Sequence, residues 1–469
     1  MLDFRFFFAG LLISLIPDVL DLNAHLSHDA KIALRLTIIM VFFWLTEAIP
    51  NSITALIPIL VSPFFFQIEL KEILKPYSSS VVFLLLGGFI LAKGFEKSNL
   101  HKRLAMGAVA KFGKSENRIL LCFILATSFF SMWLSNTATC LLMLPIAKFI
   151  VDDCLKNKYL DNFNFSRKLI LSIAYSSSIG GMATPIGTIP NAAMVSFLNE
   201  NYDYTIDFLS WTVFMMPLVL ILLTLLWIFF STRSCSTERS INMKKFKKSY
   251  SSLGVLAKKE KISCFVLLLA SMLWIFKSKI NYYLNINLSD ASIAIFCGCI
   301  FFLLPAEKDK RPLLGTLWFK DIPWNILILF GGGLSMASII VSSGLAEILS
   351  ENLNFLGQYD FLVILIVLAL FTSILTEFTS NTATTFLLLP LLSIFAINND
   401  ISTLQILLPV VLAASCAFMM PISTPPNAIV FSTNRLSIAF MVKTGFVLNL
   451  MAVSSISIYI YLFGNFAFK

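Results

Sequence analysis

The chain has 469 residues, 58% of them hydrophobic and 13% charged, with a mean hydropathy of +0.85 and a formal net charge of +9. Soluble domains carry about 45–50% apolar and about 25% charged residues, so this balance excludes a water-soluble fold and indicates a polytopic membrane protein. The 45 phenylalanines alone bring more apolar side-chain area than a soluble protein of this length could bury.

A membrane-spanning helix needs roughly 20 apolar residues. In chain order, stretches that qualify run near 4–22, 32–50, 52–69 and 80–99. Met1–Leu22 has an early Arg5 and no small-residue cleavage site after its apolar run, so a first transmembrane helix is expected there rather than a secretory leader. The next two stretches are interrupted, 118–150 by SNTAT (Ser135–Thr139) and 168–200 by Gly180-Gly181 and Thr184–Asn191. Unbroken stretches resume near 206–231, 262–280, 286–305 and 323–350. A second SNTAT (Ser380–Thr384) then interrupts 359–398, Pro421–Asn427 interrupts 404–434, and a last span runs near 436–466. Non-helical backbone at membrane depth persists only when buried in protein or lining a watery cavity, because lipid satisfies no free N–H or C=O group.

The interruptions repeat. The SNTAT copies lie 245 residues apart, each followed by Leu-Pro (Leu144-Pro145 and Leu389-Pro390). At the same offset, Gly87-Gly88 and Leu100 match Gly332-Gly333 and Leu345. "GTIPNAAMV" (Gly187–Val195) resembles "STPPNAIVF" (Ser423–Phe431) at an offset of 236. Three elements in one order in both halves indicate an internal duplication.

Basic residues orient the two copies. If each SNTAT segment is a re-entrant hairpin, the clusters 93–118, 156–168, 233–261 (with Lys244, Lys245, Lys247 and Lys248), 308–320 and Arg435 share one face. The connectors Glu200–Asp207, Ser350–Asp360 and Asn398–Gln405, which contain no Lys or Arg, share the other; Lys71 and Lys75 are exceptions. Positive charge marks the cytoplasmic side. The repeats are then inverted, with the N-terminus inside and the C-terminus outside. The charge belongs to topology-setting loops, and no nucleic-acid partner is expected.

The repeated motif suits ion and anion binding. Ser, Asn and Thr at an unwound tip offer neutral oxygens for a partly dehydrated Na⁺, and their N–H and O–H donors suit a carboxylate. "GT-x-P-N" adds carbonyls, another Thr and the positive end of a half-helix. Small polar residues also pack membrane helices together, but the matched recurrence favours a site. Two inverted copies meeting at mid-membrane make a central anion site flanked by two cation sites, as in secondary transporters.

Intramembrane charge is sparse and functional by default. Glu47 lies near an interface. Glu377, in "TEFTSNTAT", could carry a proton, bind a cation or accept hydrogen bonds from the hairpin; the first repeat has Trp133-Leu134 in that region and no acid, which favours the structural role. Lys93 and Arg103 are expected to snorkel or face the cytoplasm near helix ends. The eight cysteines have no metal-site spacing and read as packing residues, and His25, His28 and His101 fall in polar connectors. No nucleophile–base, P-loop or metal-ligand cluster suggests an enzyme, and no cofactor is expected beyond Na⁺ as a coupling ion.

Over almost the whole length the chain resembles the divalent anion/sodium symporter family of di- and tricarboxylate and sulfate transporters. The resemblance rests on "WLTEAIPNSITALIPILV", "VVFLLLGGFILAKGFEKSNLHKRLA", "LSNTATCLLMLP", "GGMATPIGTIPNAAM", "LFGGGLSMASIIVSSGLAEIL", "TEFTSNTATTFLLLP" and "MMPISTPPNAIVFST", in family order. It implies an all-α homodimer, each protomer with about eleven transmembrane helices and two re-entrant hairpins, working by an elevator motion in the cytoplasmic membrane. A scaffold over 1–115 and 232–350, the latter including the basic loop, would support a transport domain over 116–231 and 351–469. By position, one sodium site would use Ser131, Ser135, Asn136 and the Gly187 carbonyl, and the other Thr376, Ser380, Asn381 and the Ser423 carbonyl. Substrate carboxylates would meet Ser135, Asn136, Thr137, Ser380, Asn381 and Thr382, with Thr188, Thr424 and Pro425 nearby.

Two positions depart from the family pattern: Ile189 stands where proline is usual, and Ser423 where a small apolar residue is common. Threonine in both SNT motifs resembles carboxylate carriers more than sulfate carriers, and the absence of Lys and Arg from the motifs resembles sodium-coupled members. The expected activity is sodium-coupled symport of a C4-dicarboxylate such as succinate, malate or fumarate. The alternatives are citrate or sulfate symport, sodium-independent dicarboxylate exchange, or a proton-coupled carrier using Glu377.

Overall fold

The computed structural model describes residues 4–19, 26–65, 69–113, 115–156, 163–202, 204–232, 244–306 and 311–468. The expected basic stretches at 157–162, 233–243 and 307–310, with His25 and Cys235, lie outside the described residues. The first part of the chain forms α1 (Phe4–Ile13), α2 (Ile16–Val19), α3 (His28–Thr46), α4 (Asn51–Thr54), α5 (Ile57–Phe65), α6 (Leu70–Leu74), α7 (Ser80–Ser98) and α8 (Leu100–Phe112). There follow α9 (Glu116–Ser131), α10 (Asn136–Lys156), α11 (Phe163–Gly181), α12 (Ile189–Asn201), α13 (Phe208–Thr232) and α14 (Lys244–Ser251). The rest is α15 (Lys258–Leu284), α16 (Asp290–Leu303), α17 (Trp324–Ser342), α18 (Leu345–Glu351), α19 (Phe361–Phe378), α20 (Asn381–Asn398), α21 (Thr403–Ala414), α22 (Pro425–Phe431) and α23 (Ile438–Phe463). Among the described residues the only β pairing is an isolated bridge between Pro305 and Pro312.

Helix starts are capped by side chains that accept from first-turn amides, satisfying donors that lipid would leave bare. Ser27, Ser79, Ser289, Asp360 and Ser437 do this for α3, α7, α16, α19 and α23. Helix breaks are equally local. α7 ends at Asn99 (φ 61°) and α17 gives way to α18 at Gly344 (φ 75°), positions 245 residues apart that both adopt the left-handed conformation.

The span expected to run unbroken over 323–350 is therefore two helices. The one expected over 52–69 also breaks: α4 ends at Thr54 and α5 starts at Ile57, just before Pro58. Proline lacks an N–H and restrains the residue ahead of it, which stops a single helix from running through. His101, expected in a polar connector, is instead buried in α8, edge-on to Phe130. Arg103 is not a snorkelling residue: it bonds Glu260 at 2.9 Å and donates to the carbonyls of Leu253, Gly254 and Val255. Lys93 pairs with Glu96 at 3.0 Å and approaches Asp321.

Contacts between helix ends give the topology. The start of α9, the end of α10 and the start of α11 gather at the end of α13. Trp227 donates to the Asn117 carbonyl, Lys168 to the Phe230 carbonyl, and Arg435 bridges Asp152 and Ser166. So α9 and α10 enter and leave on the same side. The second pair, α19 and α20, opens at the other end of α13. Phe361 lies against Tyr461, Asn398 and Asn399 bond Ser350 and Asn354, and Gln405 bonds Asn465. The end of α23 in turn packs on the start of α13 through Tyr459–Phe214 and Phe468–Trp211. The two hairpins are thus inserted from opposite sides, and the halves are inverted repeats.

The remaining helices hold these hairpins in place. α7 packs along α16, and its counterpart α17 packs on α3–α6. Glycine permits both close approaches. A Cβ at Gly87 would lie 2.6 Å from the Ala294 Cβ, and one at Gly332 would run into the Ala55 carbonyl. On the face that carries the start of α13, Lys277 bridges Asp207 and Asp290, both at 2.8 Å, beside the stacked rings of Trp133, Phe208 and Trp274. Among the described residues, seven helices are long and apolar enough to cross a membrane alone, and the broken pairs supply further passes.

Overpacking a tight helix crossing costs roughly 1–3 kcal/mol. Gly332→Ala is therefore expected to lower the thermal unfolding midpoint in detergent, followed by fluorescence-detected size exclusion. An unchanged midpoint would show that α17 can move away from α4 freely.

Candidate functional site

Each hairpin tip is a short non-helical segment closed by a serine cap. After α9 ends at Ser131, residues 132–135 turn the chain, and Ser135 accepts from the Ala138 amide at 3.2 Å as α10 begins. Ser380 does the same for α20, accepting from the Ala383 amide at 3.1 Å. Opposite the tips, α11 and α21 unwind and the chain resumes as α12 and α22 behind Thr188 and Thr424. Thr424 caps its helix through the Asn427 amide, whereas the Thr188 hydroxyl makes no capping bond.

The unwound loops are tied by the asparagines of the Pro-Asn elements. Asn191 donates to the carbonyls of Gly181, Met182 and Thr184 at 3.1, 3.2 and 2.9 Å. Asn427, 236 residues on, donates to the carbonyls of Ala417 and Met420 at 2.9 and 3.0 Å and to the Ser423 hydroxyl at 3.1 Å. The sequence motif contains these two asparagines without revealing their role, which is to satisfy carbonyls that a broken helix leaves open.

Behind each tip stands the same oxygen arrangement. The Ser131 Oγ lies 2.8 Å from the Asn136 Oδ1 and 2.6 Å from the Ser177 carbonyl. The Thr376 Oγ1 lies 2.8 Å from the Asn381 Oδ1 and 3.1 Å from the Ala414 carbonyl. A hydroxyl has one proton and cannot serve two acceptors fully, so each cluster has more oxygen lone pairs than donors. Gly181 lets these groups converge, since a Cβ there would sit 2.5 Å from the Asn136 Oδ1 and 3.1 Å from the Gly187 carbonyl. Such donor-poor oxygen clusters fit a small hard cation.

The tips and loops enclose one cavity of about 260 Å³. Its lining includes Ser135, Asn136, Thr137, Gly187, Thr188, Ser380, Asn381, Thr382, Ser423, Thr424 and Pro425. Ser131 and Thr376 are fully buried and stand behind it, in contact through Asn136 and Asn381. Ile189, one of the departures from the family pattern, also faces the cavity. The opposite wall is apolar, from Leu85 and Phe89 of α7 and Ile326 and Leu329 of α17. No lining residue carries a charge. The volume is below the roughly 300 Å³ typical of drug-sized sites and suits a small solute.

Asn51 completes the lining and was not anticipated. Its Oδ1 is buried without a hydrogen-bond partner in the structure. The signal was present: Pro50-Asn51 is a third Pro-Asn pair, but it falls at the junction of the stretches 32–50 and 52–69 and reads as a plain connector between two spans. The apolar wall left no such mark, because its residues resemble any lipid-facing ones.

Glu377 does not line the cavity. Its carboxylate accepts from the Met419 and Met420 amides and the Asn449 side chain, each at 2.8 Å. In the first repeat Met132 stands at the equivalent position, and the link is reversed: Thr184 donates to the Met132 carbonyl at 2.6 Å. Both arrangements join a hairpin to the loop it faces. Glu47, at the end of α3, is exposed.

Two opposed hairpins and two broken helices around an uncharged, oxygen-rich cavity define the inverted-repeat class of secondary-transporter folds. The chain belongs to the sodium:sulfate symporter family, whose transmembrane region it matches over residues 4–468. It is 37% identical over 450 residues to the sodium-dependent dicarboxylate transporter SdcS of Staphylococcus saprophyticus, covering 93% of this chain and 86% of that one. It is 34% identical over 440 residues to the protein of the same name from Staphylococcus aureus strain USA300, covering 91% and 85%. The fold is similar to the YdaH transporter of Alcanivorax borkumensis (TM-score 0.59, 11% identity, 94% of this chain and 99% of that one). It is also similar to MtrF of Neisseria gonorrhoeae, described as illuminating a class of antimetabolite efflux pumps (TM-score 0.60, 12% identity, 94% and 96%). At those identities the likeness is one of fold.

Asn427→Leu would leave two loop carbonyls and the Ser423 hydroxyl without their donor, at a cost of about 1–3 kcal/mol for each buried group left unpaired. A marked drop in the thermal unfolding midpoint is expected, larger than that for Asn399→Leu at the end of α20. Equal effects would mean that the loop does not depend on this amide.

Proposed function

We propose that the protein is a sodium-coupled symporter of C4-dicarboxylates such as succinate, malate or fumarate, acting as a homodimer in the cytoplasmic membrane. It is a carrier rather than an enzyme. The observation that carries this reading is the duplicated oxygen cluster: Ser131 with Asn136 and Thr376 with Asn381, one on each side of a single neutral cavity. In this reading Na⁺ binds at each cluster, completed by Ser135 and the Gly187 carbonyl on one side and by Ser380 and the Ser423 carbonyl on the other. The dianion lies between them, its carboxylates meeting Asn136, Thr137, Asn381 and Thr382, with Thr188, Thr424 and Pro425 nearby. Cation charge supplied by Na⁺ offsets the anion in a site that holds no fixed charge. The staphylococcal relatives, named sodium-dependent dicarboxylate transporters, agree with this assignment.

The division of the lining supports an elevator motion. The polar side of the cavity comes mostly from 116–231 and 351–469, and the facing wall comes from 1–115 and 232–350, where Leu85, Phe89, Ile326 and Leu329 are apolar and Asn51 is polar. A wall that is largely apolar offers few hydrogen bonds to break when the polar part slides along it. The basic ends of the helices then face the cytoplasm and the C-terminus faces outside. The Glu377 carboxylate, already held by three donors and set apart from the cavity, supports sodium rather than proton coupling.

Purified protein in liposomes is expected to take up succinate when a sodium gradient points inward and to lose that uptake without sodium. Uptake that persists without sodium would overturn the coupling. Hydrogen bonds to charged groups contribute about 1.5–3 kcal/mol, or roughly 10–100-fold in affinity. Asn136→Ala and Asn381→Ala should each reduce uptake by at least that factor while the protein still elutes as a folded species. Wild-type uptake in both variants would remove the site from this cavity.

A further inference from the structure

A second groove, larger than the cavity between the hairpin tips, lies elsewhere among the described residues. It lies between α8, α14 and α15, on the face that carries the basic residues, and its volume is about 1020 Å³. Leu104, Phe112, Phe265 and Leu268 give it an exposed apolar wall, and Lys111, Lys247 and Lys261 stand beside that wall. All three lysines are exposed, and none has a carboxylate partner among the described residues. By contrast Lys93, Lys97 and Lys277 are all paired with acids.

The cations and the apolar wall are layered. On α15, Lys261, Phe265 and Leu268 follow one helix face, so the rings and methyls lie about 6 and 10 Å deeper than the ammonium along the axis. On α8, Lys111 lies over the Phe112 ring at 5.3 Å, at the boundary of the same two layers. α14 spans the mouth as an amphipathic helix. Phe246 is buried against Phe149, Tyr250 rests on Gly107, and Lys247 and Lys248 point outward. The groove is built, not an accident of loose chain: Arg103 clamps the turn between α14 and α15 through three carbonyls and Glu260.

We propose that this groove binds an anionic glycerophospholipid, with its phosphate among Lys111, Lys247 and Lys261 and its acyl chains against Phe265 and Leu268. Three unpaired cations above hydrocarbon-facing side chains match a negative headgroup above two chains. A zwitterionic lipid brings its own cation and meets three more. α14 joins α8 to α10 by way of Phe246 and Phe149, so the lipid would sit where the proposed scaffold and transport parts meet.

The test is native mass spectrometry of the full-length protein in mild detergent, titrated with phosphatidylglycerol or phosphatidylcholine of identical chains. Retention of phosphatidylglycerol is expected to be about 10-fold tighter, and K111Q/K247Q/K261Q should lower it to the phosphatidylcholine level. The control K71Q/K75Q/K279Q, on other exposed lysines, should retain the selectivity. Equal retention of both lipids, or an equal loss in the control, would overturn the proposal in favour of general surface attraction. So would dimers cross-linked through Cys264 by a short bismaleimide and absent in Cys264→Ser, because a second copy would then occupy the groove. The readout is lipid mass, so it stands or falls independently of the transport assignment.

Discussion

Lipid offers no hydrogen bonds, and this chain breaks its helices at mid-depth four times. Every feature of the site follows from how those breaks are made tolerable. The amides of Asn191 and Asn427 each collect the oxygens of an unwound loop, and the caps at Ser135 and Ser380 close the hairpin tips. Once the backbone is satisfied in this way, the oxygens beside Ser131 and Thr376 still outnumber their donors, which is why the proposed function places a cation there. Structural necessity and binding chemistry use the same few residues.

The duplication explains why two hairpins of opposite entry exist at all. Hairpins inserted from opposite sides bring their tips to a common depth. One ancestral solution to the broken-helix problem is thereby used twice, at offsets of 245 and 236 residues. The copies differ within the lining at Gly187/Ser423 and Ile189/Pro425, and they differ again behind it. The Met132–Thr184 link of one half becomes a buried carboxylate holding two amides in the other. The second loop is therefore held by a carboxyl side chain and the first by a hydroxyl.

Much of this was legible in the sequence because polar residues inside an apolar run are conspicuous. SNTAT, Gly-Thr-x-Pro-Asn and their shared order located the tips and loops, and the distribution of Lys and Arg indicated inverted hairpins, as the helix-end contacts show. What remained hidden has two physical causes. Pro58 and Gly344 break helices whose composition stays apolar, so hydropathy alone reads 52–69 and 323–350 as continuous. The partners of Arg103 are separated from it by about 150 residues, and an isolated cation near a helix end carries no sign of whether it meets water or Glu260. The apolar wall from α7 and α17 is similarly silent, since facing a cavity and facing lipid call for the same side chains.

The absence of charge from the cavity lining reaches beyond binding. A carrier whose site holds no fixed charge adds none there to the charge that its cargo brings. In the proposed cycle, the loaded step moves the sum of the sodium ions and the anion, while the empty return moves none. Each uncompensated sodium would couple transport to the membrane potential at about 2.3 kcal/mol per 100 mV. At the site itself, the voltage sensitivity of such a carrier is set by its cargo.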